Sequence, residues 1–323
     1  MDQATANALF DKGGILLFLD APSQLDIGID MNLWTIGPRF KGLKLIPPGV
    51  HLIYYDRGAT RGKELRVGFF YNFQPGEVLV KQWDSVSEQL YPSSAMDPEQ
   101  RRRYVADIRS FDPCLGAYPL EPPQKQYGAW RKLSGYISAD VLNVVLPDGW
   151  GFTSADGGPY DEEAVRDHQG VAFTFIDLKH SFPPQSQGSE RTMYSRDKSW
   201  LLRQLMDQCW RNDYRRILGE LQIAYVCLLM GQLYAGFEQW KAILHLVCLS
   251  EEAIVDYIDT LYPNFVDVLQ NQLSECPEDF FADIIITDNF VAHLLALTKE
   301  LSLEHSEGEE DESGEYAPVV VEL

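Results

Sequence analysis

The chain is short of long apolar runs. A bilayer-crossing helix needs about 18 uninterrupted apolar residues, and the richest stretch, Ile223 to Met230, falls well below that and reads as core. The opening MDQATANALF lacks a basic flank and an extended apolar region, so no secretory signal is expected. Cysteines are few and odd in number: Cys114, Cys209, Cys227, Cys248 and Cys276. No CxxC or Cys/His spacing suggests zinc, and Cys227 and Cys248, set in apolar helical stretches, read as reduced core thiols. With no Asn-x-Ser/Thr acceptor either, a reducing intracellular compartment is expected. Positive charge is in deficit: 27 Lys and Arg face 48 Asp and Glu, for a formal net charge of −21. Eight of the acids lie in residues 304–323, which hold no Lys or Arg, and setting them aside leaves −13 for the rest. Such a chain repels phosphates, which argues against direct nucleic-acid binding.

Catalytic motifs are missing too. GxSxG, HExxH, the P-loop and GxGxxG do not occur. The histidines are scattered, and His245, between Leu244 and Leu246, reads as structural; a Cys227–His245 pair stays open, with nothing to place the two together. Asp161, Glu162 and Glu163 lack the spacing of a calcium loop. No enzyme, metal or cofactor is expected.

What is present is enough for two cores: 323 residues, 45% hydrophobic and 12% aromatic. The first half alternates as strands do. Ile15–Asp20 is a short apolar run ending at Ala-Pro-Ser. Val67, Phe69, Tyr71 and Phe73 share one face, and Glu77–Trp83 alternates again after Gln74-Pro75-Gly76, which predicts a hairpin. Pro47-Pro48-Gly49 precedes a strand at His51–Tyr55. Gly28, Asp30, Trp34 and that Pro-Pro-Gly turn are the residues an enzyme reading would draw on, but turn geometry already explains the Gly and Pro there. Asp97 and Pro98 open a helix to Arg109, on which Arg101, Arg102 and Arg103 form a solvated face balanced by Glu99 and Asp107. Trp130, Leu133 and Ile137 recur at helical spacing, residues 148–169 read as a loop, and Val171–Leu178 should return to the N-terminal sheet. Residues 181–195, rich in Ser, Pro, Gln and Gly, form the expected linker.

From about residue 196 the pattern is helical. Between Gly219 and Ala253 runs GELQIAYVCLLMGQLYAGFEQWKAILHLVCLSEEA. Its first half has no clean polar face and should be buried nearly all round. Gly231 offers a turn. Leu233, Phe237, Trp240, Leu244 and Val247 then form one stripe, so the two halves read as an antiparallel helix pair. Ile254, Ile258 and Leu261, then Phe265, Leu269 and Leu273, continue the series, followed by Phe280, Phe281, Ile284 and Ile285 and by Phe290, Leu294, Leu297 and Leu301. The tail joins SEGEEDESGE, disordered by composition, to Tyr316–Leu323, which is β-branched. Tyr316, Pro318, Val319, Val320 and Val321 are candidate partner-binding residues, by strand addition to another protein's sheet edge; docking on this chain's own sheet is the plainer alternative.

The 219–253 string resembles that of the AAR-two family, named for a-one/alpha-two repression. So do Ile27-Gly-Ile-Asp30, Trp34 to His51, Gly68-Phe-Phe70, Gln82-Trp83, Leu115-Gly-Ala-Tyr-Pro119, the block from Cys276 to Ile284, Thr287-Asp-Asn-Phe290 and Ala317–Leu323, in order. The chain departs from the family at residues 138–190, which are shorter, and where an acidic linker replaces a final helical stretch. The residue pattern divides the chain into an N-terminal β-rich domain (1–180), the linker (181–195), a helical domain (196–303), a flexible acidic segment (304–315) and a strand-forming tail (316–323); the resemblance implies that these are an α+β protein, with a β-sandwich-like domain followed by an all-helical, VHS-like superhelix. It further implies a non-enzymatic assembly chaperone of pre-mRNA splicing, cytoplasmic and nuclear. Such a protein binds the RNase H-like and Jab/MPN-like domains of the Prp-eight protein as the U-five particle matures and blocks early helicase binding. The reading from another class is a VHS-like trafficking adaptor for acidic peptides, against which the acidic surface argues.

Overall fold

The computed structural model of the protein describes residue 10 and residues 12–57, 65–92, 96–119, 125–156 and 170–276. Two compact units are formed, Met1–Leu261 and Tyr262–Leu323. As the α+β reading expects, strands dominate the N-terminal part and helices the C-terminal part.

The strands are β1 (Gly14–Leu19), β2 (Asp26–Ile29), β3 (Asn32–Thr35), β4 (Gly42–Ile46), β5 (Gly49–Arg57), β6 (Leu65–Phe73), β7 (Val78–Asp84), β8 (Gln89–Leu90), β9 (Leu115–Ala117) and β10 (Gly151–Thr153). They form two sheets, ordered β8-β7-β1-β4-β9 and β10-β6-β5-β2-β3. The core between them holds Leu16 and Phe18 of β1, Ile27 and Ile29 of β2, Ile46 of β4, Tyr55 of β5, Phe73 of β6 and Trp83 of β7. The other face of β1, Ile15, Leu17 and Leu19, is buried in a second cluster with Val80 and Leu115, against Tyr104, Ile108 and Phe111. A strand covered on both faces reads as a continuous apolar run, which is why ILLFL does not alternate.

The predicted β6–β7 hairpin does not form. β6 pairs with β5 and β10, whereas β7 runs parallel to β1 and pairs with β8. The Gln74–Gly76 turn carries the chain from one sheet to the other, because each strand finds its partners elsewhere in the sequence. Residues 148–169 contain a strand, β10, which closes the edge of β6; Asp161, Glu162 and Glu163 lie outside the described residues. Val171–Leu178 forms no strand and lies on the helices, with the Ala172 N–H donating to Val145 O at 2.7 Å.

The helices are α1 (Pro98–Ala106), α2 (Lys125–Ser134), α3 (Ala139–Val145), α4 (Ser189–Arg196), α5 (Ser199–Gln208), α6 (Tyr214–Leu229), α7 (Tyr234–Cys248), α8 (Ile254–Tyr257) and α9 (Leu261–Ser274). Asp97 caps α1 by accepting from the Glu99 N–H, with Pro98 in its first turn. α4 lies partly within the Ser/Pro/Gln/Gly stretch. α6 and α7 form the expected helical hairpin. Every residue of α6 from Ile217 to Cys227 is buried, and α6 meets α2 and α3 as well as α7. Two glycines permit these approaches: a Cβ on Gly219 would meet Tyr136 O, and one on Gly236 would meet Ala224 O, both at 2.5 Å. The helical series from Phe280 to Leu301 and the whole tail lie outside the described residues.

Candidate functional site

The turn after β2 places Asp30 in the left-handed region, at φ 54°. From there its side chain points into the β core and is almost fully buried. Oδ1 accepts the Leu52 N–H at 3.0 Å, and Oδ2 accepts the Tyr118 hydroxyl at 2.6 Å. His51 Nδ1 lies 2.6 Å from the same Oδ2, and Nε2 lies 2.8 Å from Pro47 O. A carbonyl can only accept, so Nε2 carries a hydrogen and donates to Pro47 O. Tyr127 and Trp130 stack on the imidazole at 6.3 and 6.4 Å between centroids, while Phe73 and Tyr118 meet it edge-on. The Trp130 indole donates to Val50 O at 2.9 Å. Burial, and after it the Asp30 carboxylate, push the Tyr118 hydroxyl far above its ordinary range.

Asp, His and Tyr in hydrogen-bonded series have the chemistry of an acid–base relay. Their placement gives them a different task. His51 is 0% exposed, so a substrate cannot reach it. The cluster joins the β2 turn, β5, the segment after β9 and α2, and it holds the Pro47-Pro48-Gly49 turn. Asp30 therefore does more than make a turn.

A second set of buried polar groups lies on the helical hairpin. Glu220 accepts the Thr174 N–H at 2.6 Å, the Thr174 hydroxyl at 2.8 Å, the Trp210 indole at 2.8 Å and the Gln239 amide at 3.0 Å. Burial pushes its carboxyl up and outweighs these donors, which hold it down. The Gln239 amide also donates to Thr174 O at 3.0 Å. Gln222 accepts the Tyr136 N–H at 2.7 Å and donates to Lys132 O at 2.8 Å. These three side chains fasten Lys132 and Tyr136 onto α6, and Thr174 onto α6 and α7. Arg66 adds a tie from β6. It grips Asp56 through two bonds of 2.6 and 2.7 Å, donates to Met230 O at 2.9 Å and lies over the Tyr54 ring at 5.3 Å.

One signal for the hairpin set was present in the sequence. A helix buried all round that contains Glu220 and Gln222 must bury them, and a buried polar group must find partners. Which partners it finds depends on residues tens of positions away.

An apolar groove of about 570 Å³ opens on the β sandwich. Ile27, Trp34, Ile36, Phe40, Leu45 and Tyr118 are among its lining residues. It lies between β3 and β9, which are edge strands of the two sheets. Trp34 is 37% exposed at its mouth, and the neighbouring Leu33 is 45% exposed.

The candidate tail residues Tyr316, Pro318, Val319, Val320 and Val321 lie outside the described residues. Arg101, Arg102 and Arg103 stand exposed on α1, the last two reaching Glu99 at 3.8 and 3.7 Å, the solvated face expected of them. Burial pushes the Cys227 thiol well up and Cys248 to about 12, so both stay protonated. Among the described residues no group of three or more His, Cys, Asp or Glu could hold a metal ion, and no helix is long and apolar enough to cross a membrane.

Comparison with known proteins places this arrangement among relatives. Residues 12–147 match a family model described as the AAR2 N-terminal domain, and residues 173–317 match one described as the AAR2 C-terminal repeat region. The chain is 32% identical over 329 residues to "Protein AAR2 homolog" of Macaca fascicularis, covering 91% of this chain and 84% of that protein. It is 32% identical over 323 residues to the Caenorhabditis elegans protein of the same name, covering 90% and 86%. To "A1 cistron-splicing factor AAR2" of Saccharomyces cerevisiae it is 22% identical over 295 residues, covering 84% and 79%.

Proposed function

The chain belongs to the AAR2 family of splicing factors, and from that premise we propose that it is a non-enzymatic assembly chaperone of pre-mRNA splicing. In this reading it works in the cytoplasm and nucleus. It binds the RNase H-like and Jab/MPN-like domains of the Prp-eight protein while the U-five particle matures, and it keeps the helicase from binding early. The observation that carries a binding role is where the chain spends its acid–base groups. Asp30, His51, Tyr118 and Glu220 are all buried and engaged in holding loops to the framework, which yields a rigid surface for a partner. The net charge of −21 favours a protein partner over a phosphate backbone.

The tail is the proposed grip. Tyr316 to Val321 adds as a strand to the partner's sheet edge, with Val319 and Val321 facing one way and Val320 the other. Pro318 has no N–H and marks the strand's start. Each main-chain bond contributes about 0.5–1.5 kcal/mol net. Burying each valine adds up to about 1.5–3 kcal/mol, before the ordering cost is subtracted. Val320→Pro should therefore weaken affinity for the two Prp-eight fragments sharply while the melting of the free protein is unchanged. Should that variant melt early and bind normally, the strand belongs to this chain's own sheet. Purified protein should also show no micromolar, sequence-indifferent RNA binding at physiological salt; its appearance would count against the reading.

A further inference from the structure

We infer that the groove between β3 and β9 is a docking site for an extended, apolar peptide segment of a partner protein carrying acidic residues beside its apolar positions. Three independent features point there. The first is topology. β3 and β9 are edge strands, one from each sheet, and they flank the groove. An edge strand offers unpaired main-chain groups to a guest strand, and alternate guest side chains then turn into the space alongside. Both edges are short, four and three residues, which limits nonspecific pairing and suits a brief segment.

The second feature is the lining. Its side chains carry no formal charge, and Trp34 exposes apolar surface at the rim. Leu45, on the groove wall, holds a left-handed backbone at φ 62°. That conformation is costly for a branched side chain and is kept where the surroundings enforce it.

The third is charge. In a chain of net −21, residues 31–50 contain Arg39, Lys41 and Lys44 and no acid. Arg39 is exposed and forms no ion pair among the described residues. Asp112 pairs with and neutralises Lys44 at 2.6 Å, and Asp26, which accepts the Thr35 hydroxyl at 2.5 Å, keeps its negative charge, so Arg39 and Lys41 stand against one carboxylate. The groove's surroundings thus carry a small positive excess on an acidic protein, complementary to an acidic flank and repulsive to a basic one.

The inference goes beyond the assembly reading and can fail separately. Loss of peptide binding with intact capture of the Prp-eight fragments would remove the groove and leave that reading standing. The experiment is selection of short random peptides displayed on phage against the full chain, followed by anisotropy titration of the winners. Two variants serve as controls. A Cβ at Gly37, which lines the groove, meets nothing within 4 Å, so Gly37→Phe can block the mouth without a backbone clash. Arg39→Glu reverses the rim charge at an exposed side chain. The expected winners alternate apolar residues, carry Asp or Glu beside them, lose binding to Gly37→Phe, and bind Arg39→Glu about fivefold more weakly. Unchanged thermal melting of both variants accompanies that result. Winners with basic flanks, winners that bind Gly37→Phe as well as the natural chain, or no winners would each overturn the inference.

Discussion

Replacing Glu220 by alanine tests the claim that this carboxylate ties the segment around Thr174 to the helical hairpin. It removes the acceptor of four hydrogen bonds in a site that is 2% exposed. The Gln239 amide keeps a bond to Thr174 O, and the Thr174 hydroxyl can rotate to another acceptor. The Thr174 N–H and the Trp210 indole N–H are fixed and become orphans. At about 1–3 kcal/mol for each buried unsatisfied donor, the loss is about 2–6 kcal/mol. Relief of the carboxyl's burial, which pushes its pKa up, offsets part of this, so we expect a net cost of about 2–4 kcal/mol. For a chain of this size each kcal/mol lowers Tm by about 2–4 °C. Urea unfolding followed by tryptophan fluorescence measures the cost, and hydrogen exchange at the Thr174 amide locates it. Glu220→Gln, which keeps the shape and one acceptor, should fall between the two. The sign of the pH dependence follows from the raised folded value. The folded state binds the proton more tightly than the unfolded state, so Glu220's contribution is present in full below about 4.3 and is lost as pH rises through the folded value. The stability difference between the natural chain and Glu220→Gln should therefore shrink as pH rises. An alanine variant that melts like the natural chain, with Thr174 still protected, would refute the reasoning, as would a difference that grows with pH.

The remaining predictions concern packing and division of the chain. Trp240 is 1% exposed and packs on Tyr225 with centroids 6.1 Å apart; Trp240→Ala should cost about 3–5 kcal/mol through the cavity left behind, and an unchanged denaturation midpoint would contradict that packing. We propose residues 181–195 as the domain junction, and limited proteolysis should cut first at the exposed Gln187–Ser189 stretch. The two pieces should then stay together on size exclusion, because Arg66–Met230, Tyr136–Gln222 and Thr174–Glu220 bonds span the cut. A first cut inside residues 219–250, or pieces that separate, would rule this out.

The sequence by itself determined what local periodicity reports. A helix with no clean polar face from Ile217 to Cys227 had to be buried, and the stripe through Trp240 had to face it. The run of apolar residues in β1 announced a short strand, and the charge balance argued against a phosphate-binding surface. These follow from side-chain spacing, because period and polarity record which faces meet water. Tertiary structure alone decided who pairs with whom. Two alternating runs around Gln74-Pro75-Gly76 carry the same local signal whether they form a hairpin or enter different sheets, and the partners β1 and β5 settled it. The alternation in Val171–Leu178 was real, yet Glu220 and Gln239 claimed Thr174's backbone groups before any sheet did. Asp30 meets a histidine 21 residues away and a tyrosine 88 residues away. The groove exists only because edge strands of two separate sheets come to lie side by side. Such contacts depend on register and close approach between distant segments, which no single window of sequence encodes.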